Sequence, residues 1–198
     1  FGFNVAYYVL AGVMILGLII YTWLSANPPY FQILHSGRTS EQAHEDAIAC
    51  GQELFPTGSA SESLKISALI PQTWMLVLTY FTTFGGFMAL TAWFPTVWKQ
   101  GYGLSPMTAG ILTAIFSILA ALLRVPGGQL SDKIGGVKVS MGALVLLAIA
   151  GVFMNIPMGW GGLFVVSLLI AVAFGFNNAA TMKLVPVYVS NGMGGANG

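Results

Sequence analysis

The chain has 198 residues, 56% of them hydrophobic and only 7% charged, with a net charge of +1. A soluble domain carries about 25% charged residues, so this chain has too few to solvate a globular surface. The apolar residues fall in long blocks, which makes it an all-α integral membrane protein, and neither its net charge nor any basic run points to nucleic acid. The single cysteine, Cys50, excludes an internal disulfide framework and cannot form a zinc site alone.

The chain opens at Phe1 directly into a hydrophobic span, without the basic region or cleavage site of a signal peptide. Phe3 to Leu24 is uncharged and long enough to cross about 30 Å of hydrocarbon at about 1.5 Å per residue. Tyr21 and Trp23 close it where interfacial aromatics belong, and Pro28-Pro29 stops the helix. From about Asn27 to Ser67 the composition changes. Glu41, Glu45, Asp46, Glu53 and Glu62, both histidines and Cys50 lie here, as in a water-exposed loop. Thr39 with Gln42, and Ser59 with Glu62, fit capping boxes. Ala43, Ala47, Cys50 and Leu54 share one helical face, the pattern of a short amphipathic helix against the membrane. His35, His44 and Cys50 have no zinc-site spacing, so no metal is expected.

A second span is expected from about Thr73 to Trp98. Tyr80, Phe84 and Phe87 recur at i, i+4 and i+7 and share a face. That face is either a lipid-facing stripe, with Gly85 and Gly86 allowing close helix packing, or the aromatic wall of a central cavity. A loop from Lys99 to Ser105 leads to the third span, from about Pro106 to Ser131. Arg124 lies in this span, eight residues before Asp132, or about 12 Å of helix rise. It is deep enough to need a reason, although a long Arg can snorkel toward the interface. A Gly-rich turn carrying Asp132, Lys133 and Lys138 follows. The fourth span runs from about Val139 to Ile156, with Pro157 and Trp160 in a tight turn. The fifth runs from about Leu163 to Val189. Its second half holds Asn177, Asn178 and Lys183, which suit either a watery pathway or a polar helix contact. The excess of Lys and Arg puts the 27–67 and 128–138 loops in the cytoplasm, residue 1 outside and Gly198 inside.

The spans hold Arg124 and Lys183 and no acid of their own, whereas a proton-relay pump uses intramembrane Asp, Glu or His. Fixed positive charge among Tyr, Thr and Asn side chains suits a dehydrated anion. Arg adds a planar fork of donors matched to flat oxyanions. The residues alone point to a transporter or channel for a small anion. No nucleophile–base or carboxylate pair appears in the spans, so no enzyme is expected.

GGQLSDKIGGVK, residues 127–138, resembles the loop motif of the major facilitator superfamily. The segments YFTTFGGFMALTAWFPTVWKQGYGL, ALLRVPGGQLSDKIGG and GFNNAATMKLVPVY, in this order, resemble its nitrate/nitrite porter family. The resemblance implies a partial major facilitator fold, an internal piece with about five transmembrane helices of twelve. Residues 1–26 would be helix 6, closing the N-terminal half, and 27–67 the cytoplasmic central linker. Residues 68–198 would be helices 7 to 10 and the start of the turn into helix 11. The implied protein is a multi-pass cell-membrane carrier, monomeric, without cofactor or nucleic acid. It would move nitrate or nitrite by alternating access, as an anion exchanger or a proton-coupled symporter. Arg124 matches the arginine that binds the anion, and Tyr80 and Phe84 match positions lining the same site. Met182 falls where some members place a stacking aromatic, and Asn178 lies in the polar helix-10 segment. A second arginine, on helix 2, would lie outside this chain. Gly128, Asp132, Lys133 and Gly135 match the conformational loop motif, with Gly136 where many members carry a base. Two alternatives stay open: a major facilitator carrier for an organic anion, sugar or drug, and a membrane enzyme or sensor using the 27–67 loop.

Overall fold

The computed structural model describes residues 3–52 and 60–189. Every regular element among them is helical, and they belong to two compact units that divide between residues 56 and 57.

The first unit begins with α1, Phe3–Leu24. Its side chains from Asn4 onward are all exposed, as suits a helix whose surroundings are lipid or other helices. Pro29 opens α2, Pro29–His35, and Thr39 caps α3, Ser40–Ala49. The Thr39–Gln42 capping box is formed, with Gln42 N–H donating to Thr39 Oγ1 and Thr39 N–H to Gln42 Oε1, both at 3.4 Å. The α2–α3 pair is closed by Tyr30 Oη and Ser40 Oγ at 2.9 Å, and by the Tyr30 N–H donating to Gln52 Oε1 at 2.9 Å. Arg38 pairs with Asp46 at 3.0 Å. Ala43 and Ala47 are wholly buried in this pair, so the apolar face of α3 is covered by protein and not by lipid, while Cys50 is exposed. Leu54, Ser59 and the side chain of Glu62, with the second capping box, lie outside the described residues. Among the described residues no three His, Cys, Asp or Glu side chains gather as a metal site would need.

The second unit starts with α4, Ala60–Leu69. The Trp74 indole N–H reaches back to the Ala68 carbonyl at 3.0 Å across the break at Ile70. Then come four long apolar helices: α5 (Pro71–Gly101), α6 (Pro106–Ile134), α7 (Gly136–Phe153) and α8 (Trp160–Tyr188). With α1 they make five helices long and apolar enough to cross a membrane. α8 is the axis of this unit and packs on α5, α6 and α7. Phe94 and Trp98 of α5, Phe116 of α6 and Ile170 and Phe174 of α8 form its core.

The spans lie where the hydropathy blocks put them, but several ends move. α5 reaches Gly101 because its last turn, Val97–Gly101, continues as a π-helix. α6 runs on to Ile134, so Asp132 and Lys133 are helical, not part of a turn. The reversal is Gly135 alone, whose φ of 94° is open to glycine. α7 consequently starts at Gly136 and stops at Phe153, and Trp160 opens α8 instead of sitting in the preceding turn.

Two features of the long helices position the site. The first is a π-turn in α5, Phe81–Gly85, a device that shifts side chains by an extra residue and is frequent at functional sites. The second is a break in α6 at Leu123, between Pro106–Leu122 and Arg124–Ile134. Pro126 has no N–H to offer the Leu122 carbonyl, so one rung of the ladder is missing. The ladder resumes when Gly127 N–H donates to the Leu123 carbonyl at 3.0 Å.

Candidate anion-binding site

Arg124 is the first residue after the break in α6. The break is seated on α8 almost backbone to backbone. A Cβ on Gly175 would stand 2.7 Å from Leu123 Cβ and 2.8 Å from the Ala120 carbonyl, and one on Gly127 would stand 2.7 Å from Phe176 Cα. Only glycine fits at either crossing, and small residues are what let membrane helices approach this closely. The glycines thus fix where Arg124 leaves its helix.

The Arg124 guanidinium lies over the Phe84 ring, 5.6 Å from its centroid. Arg124 is eleven residues from the Gly135 turn, or about 16 Å of helix, near the middle of a hydrocarbon layer of about 30 Å. Its side chain turns sideways onto α5 instead of running to the helix end, so it does not snorkel. Its Nε is buried with no hydrogen-bond partner, and no carboxylate among the described residues pairs with it. A ring face supports a cation by about 0.5–2 kcal/mol, well short of replacing its hydration.

Phe84 sits inside the α5 π-turn and is one of a column of rings. It stacks on Tyr80 at 5.0 Å and on Phe87 at 6.3 Å, and Phe87 meets Phe116 of α6 at 6.0 Å. Tyr80, Phe84 and Phe87 are half-buried, and Phe84 and Phe87 meet Arg124 and Phe116 of α6, whereas Phe81, which lines the outer part of the same groove, is 74% exposed. The stripe therefore faces into the bundle and not into lipid. Gly86 lets it do so, since its α-carbon lies so close to α8 that a Cβ would touch Phe174 at 3.0 Å. Tyr80 and Phe84 line an open groove of about 430 Å³ between α5 and α8, with Met182, Thr181 and Thr73 on the same walls. Three of the five expected site residues, Tyr80, Phe84 and Met182, thus share one groove. Arg124 joins them through the Phe84 ring.

Asn178 is placed differently. It is buried, and its Oδ1 accepts a hydrogen bond from Thr83 Oγ1 at 2.8 Å. Asn177 beside it is fully buried. It accepts from Ser140 Oγ at 2.6 Å and donates to Thr83 Oγ1 at 3.0 Å and to Thr181 Oγ1 at 3.4 Å. The Thr83 hydroxyl also lies 3.0 Å from the Thr79 carbonyl, so its single proton serves that carbonyl or Asn178. This network ties α5, α7 and α8 together and holds the π-turn from which Phe84 projects. The polar run on α8 is therefore mostly spent on helix packing, with Asn178 behind the groove wall.

Lys183 is also accounted for within the fold. Its ammonium is ion-paired with Asp132 in the last turn of α6. Both side chains are partly exposed, and the pair links the ends of α6 and α8. Gly128 lies one turn earlier, where a Cβ would meet the Lys183 stem at 3.8 Å. The expected loop motif thus works as a helix end: Asp132 holds α8 and Gly135 makes the reversal. Lys133 is exposed, with no acid paired to it among the described residues. Sequence reasoning missed Gly127, Gly175, Thr83 and Ser140. The first two had a signal, since small residues recur on the α6 and α8 faces, but the hydroxyls had none.

The family model of the Major Facilitator Superfamily matches residues 1–198, the whole chain. The chain belongs to this superfamily. It is accordingly a multi-pass membrane protein, in keeping with its five apolar helices. Among curated members, the chain is 38% identical over 125 residues to the "Nitrite extrusion protein" of Bacillus subtilis, covering 63% of this chain and 32% of that protein. It is 34% identical over 139 residues to the "Probable nitrate transporter NarT" of Staphylococcus haemolyticus, covering 70% and 36% respectively. It is 29% identical over 146 residues to the "Probable nitrate/nitrite antiporter NarK1" of Thermus thermophilus, covering 64% and 33%. The chain thus matches about a third of the length of these superfamily members. No solved structure gives a significant match.

Proposed function

We propose that this chain is part of a transporter that moves nitrate or nitrite across the membrane by alternating access. The observation that carries the proposal is Arg124: a mid-membrane guanidinium held against an aromatic ring, with a buried Nε and no carboxylate among the described residues. A cation in that state is costly unless an anion completes it. The guanidinium offers parallel N–H donors to a flat, oxygen-bearing anion, which a point charge does not. Phe84 walls one side of the guanidinium, and Tyr80 and Met182 continue the wall along the groove. The names of the related proteins support the same substrate class.

In this reading the chain supplies helices 6 to 10 of a twelve-helix carrier, with residues 27–67 as the cytoplasmic linker between its halves. Arg124 binds the anion from the C-terminal half, and the N-terminal half, with an arginine of its own, closes on it. Rocking of the halves about this midplane site then exposes it to either side. With the cation of Lys183 already neutralised by Asp132, the Arg124 guanidinium, unpaired among the described residues, is left to be neutralised by the substrate.

The test uses the full-length protein in liposomes, following labelled nitrate uptake with nitrite loaded inside, at fixed pH and across a pH gradient. Uptake driven by internal nitrite supports exchange, and uptake that needs the gradient supports proton-coupled symport. Failure of both overturns the nitrate/nitrite assignment while leaving the superfamily membership untouched.

A further inference from the structure

A second groove lies apart from the Arg124 site, where α6, α7 and α8 meet. Its volume is about 240 Å³, and nine of its ten lining residues are apolar, among them Leu130, Gly142, Leu146 and Phe176. The tenth is Lys138, in the first turn of α7, at the same end as the Gly135 reversal. From Lys138 to Leu146 the groove follows α7 for about 12 Å of helix rise. That is close to the depth of one leaflet, about half of a hydrocarbon core of about 30 Å. Gly142 widens it midway, since a Cβ there would meet nothing within 4 Å.

Lys138 is the one charged residue that lines the groove. Lys138 and, on the preceding helix end, Lys133 are both exposed. Neither is ion-paired among the described residues, and Asp132, the acid next to them in sequence, is taken by Lys183. The groove therefore has an apolar body one leaflet deep and a cationic rim at the interface, on the side that the positive-inside rule makes cytoplasmic. Basic pockets between membrane helices at that surface hold anionic lipid headgroups.

We propose that this groove is a binding site for an anionic phospholipid of the cytoplasmic leaflet. One acyl chain lies along Gly142 toward Leu146, and the headgroup phosphate meets Lys138. The site does not depend on which solute the protein carries.

The experiment uses the full-length protein, stripped of lipid in detergent and titrated with phosphatidylglycerol or with phosphatidylcholine of the same chain length. Retained lipid is counted by native mass spectrometry. Wild type is expected to keep one phosphatidylglycerol in clear preference to phosphatidylcholine. Lys138→Gln is expected to cut that preference about fivefold, in line with one basic side chain at an anionic surface, and Lys138→Arg to restore it. Gly142→Leu fills the groove without touching the rim and is expected to lower retention of both lipids alike. Equal retention of the two lipids by wild type would overturn the proposal. So would an undiminished preference in Lys138→Gln, or undiminished retention in Gly142→Leu, as when another helix of the carrier covers the groove.

Discussion

Arg124 and Lys183 are both cations within long apolar helices of the second unit, yet they end in opposite states. Lys183 meets Asp132 across the α6–α8 contact, and its charge is balanced within the fold. Arg124, eight residues earlier on the same helix as Asp132, lies over the face of Phe84, and its Nε has no hydrogen-bond partner among the described residues. A cation in an apolar helix that the fold neutralises is a structural tie. One that the fold orients but leaves unneutralised is, in the function proposed above, left for the anion to complete. The same division runs along α8, where Asn177 and Asn178 are bonded between helices while Met182, a turn on, is 48% exposed in the groove.

The largest break in this comparison is expected from Arg124→Lys. It keeps the charge but loses the planar fork. In transport assays on the full-length protein KM for the anion should rise roughly 10- to 100-fold, the loss of one or two charge-assisted bonds. Membrane insertion should not change. A smaller effect, and on stability, is expected from Gly175→Ala. Its Cβ would sit 2.7 Å from Leu123 Cβ, so α6 and α8 must separate. Overpacking of this kind costs about 1–3 kcal/mol, readable as a lower Tm in detergent. Next comes Thr83→Val, which keeps the shape and removes the hydroxyl shared by Asn177 and Asn178. A loss of about 1–2 kcal/mol is expected. Because the π-turn also carries Phe84, KM should rise as well, with Thr83→Ser restoring both. The smallest change belongs to Asp132→Asn. Its ion pair with Lys183 is partly exposed, so thermal unfolding should register no more than about 1 kcal/mol. If Asp132→Asn raised KM as far as Arg124→Lys, the contrast between the two cations would fail.

Much of this was legible in the chain. Long uncharged runs fixed five spans and the membrane class, and the i, i+4, i+7 spacing of Tyr80, Phe84 and Phe87 put three rings on one face before any contact was known. Arg124 stood out because a charge in an apolar run is expensive. What was hidden is tertiary. Lys183 and Asp132 are 51 residues apart, and Thr83 and Asn178 are 95 apart, so no local pattern shows that each polar group answers another. For that reason Asn178 reads equally well as cavity lining or as packing until Thr83 is seen beside it. The π-turn at Phe81–Gly85 leaves no composition signal, and the Gly-rich run before Lys138 looks like a broad turn although only Gly135 bends the chain. Gly136 and Gly127 serve close packing instead, against Leu184 and Phe176.

The central claim is that Arg124 is completed by an anion and Lys183 is not. The most direct measurement is equilibrium binding of nitrate and nitrite to the purified full-length protein, by calorimetry, comparing wild type with Arg124→Lys and with a paired Lys183→Gln, Asp132→Asn variant. The account predicts that binding is lost or weakened at least about tenfold in Arg124→Lys, the scale of one charge-assisted bond. It should survive in the paired variant, where the structural tie has been replaced by neutral side chains. Equal binding by wild type and Arg124→Lys, or loss of binding only in the paired variant, would contradict it.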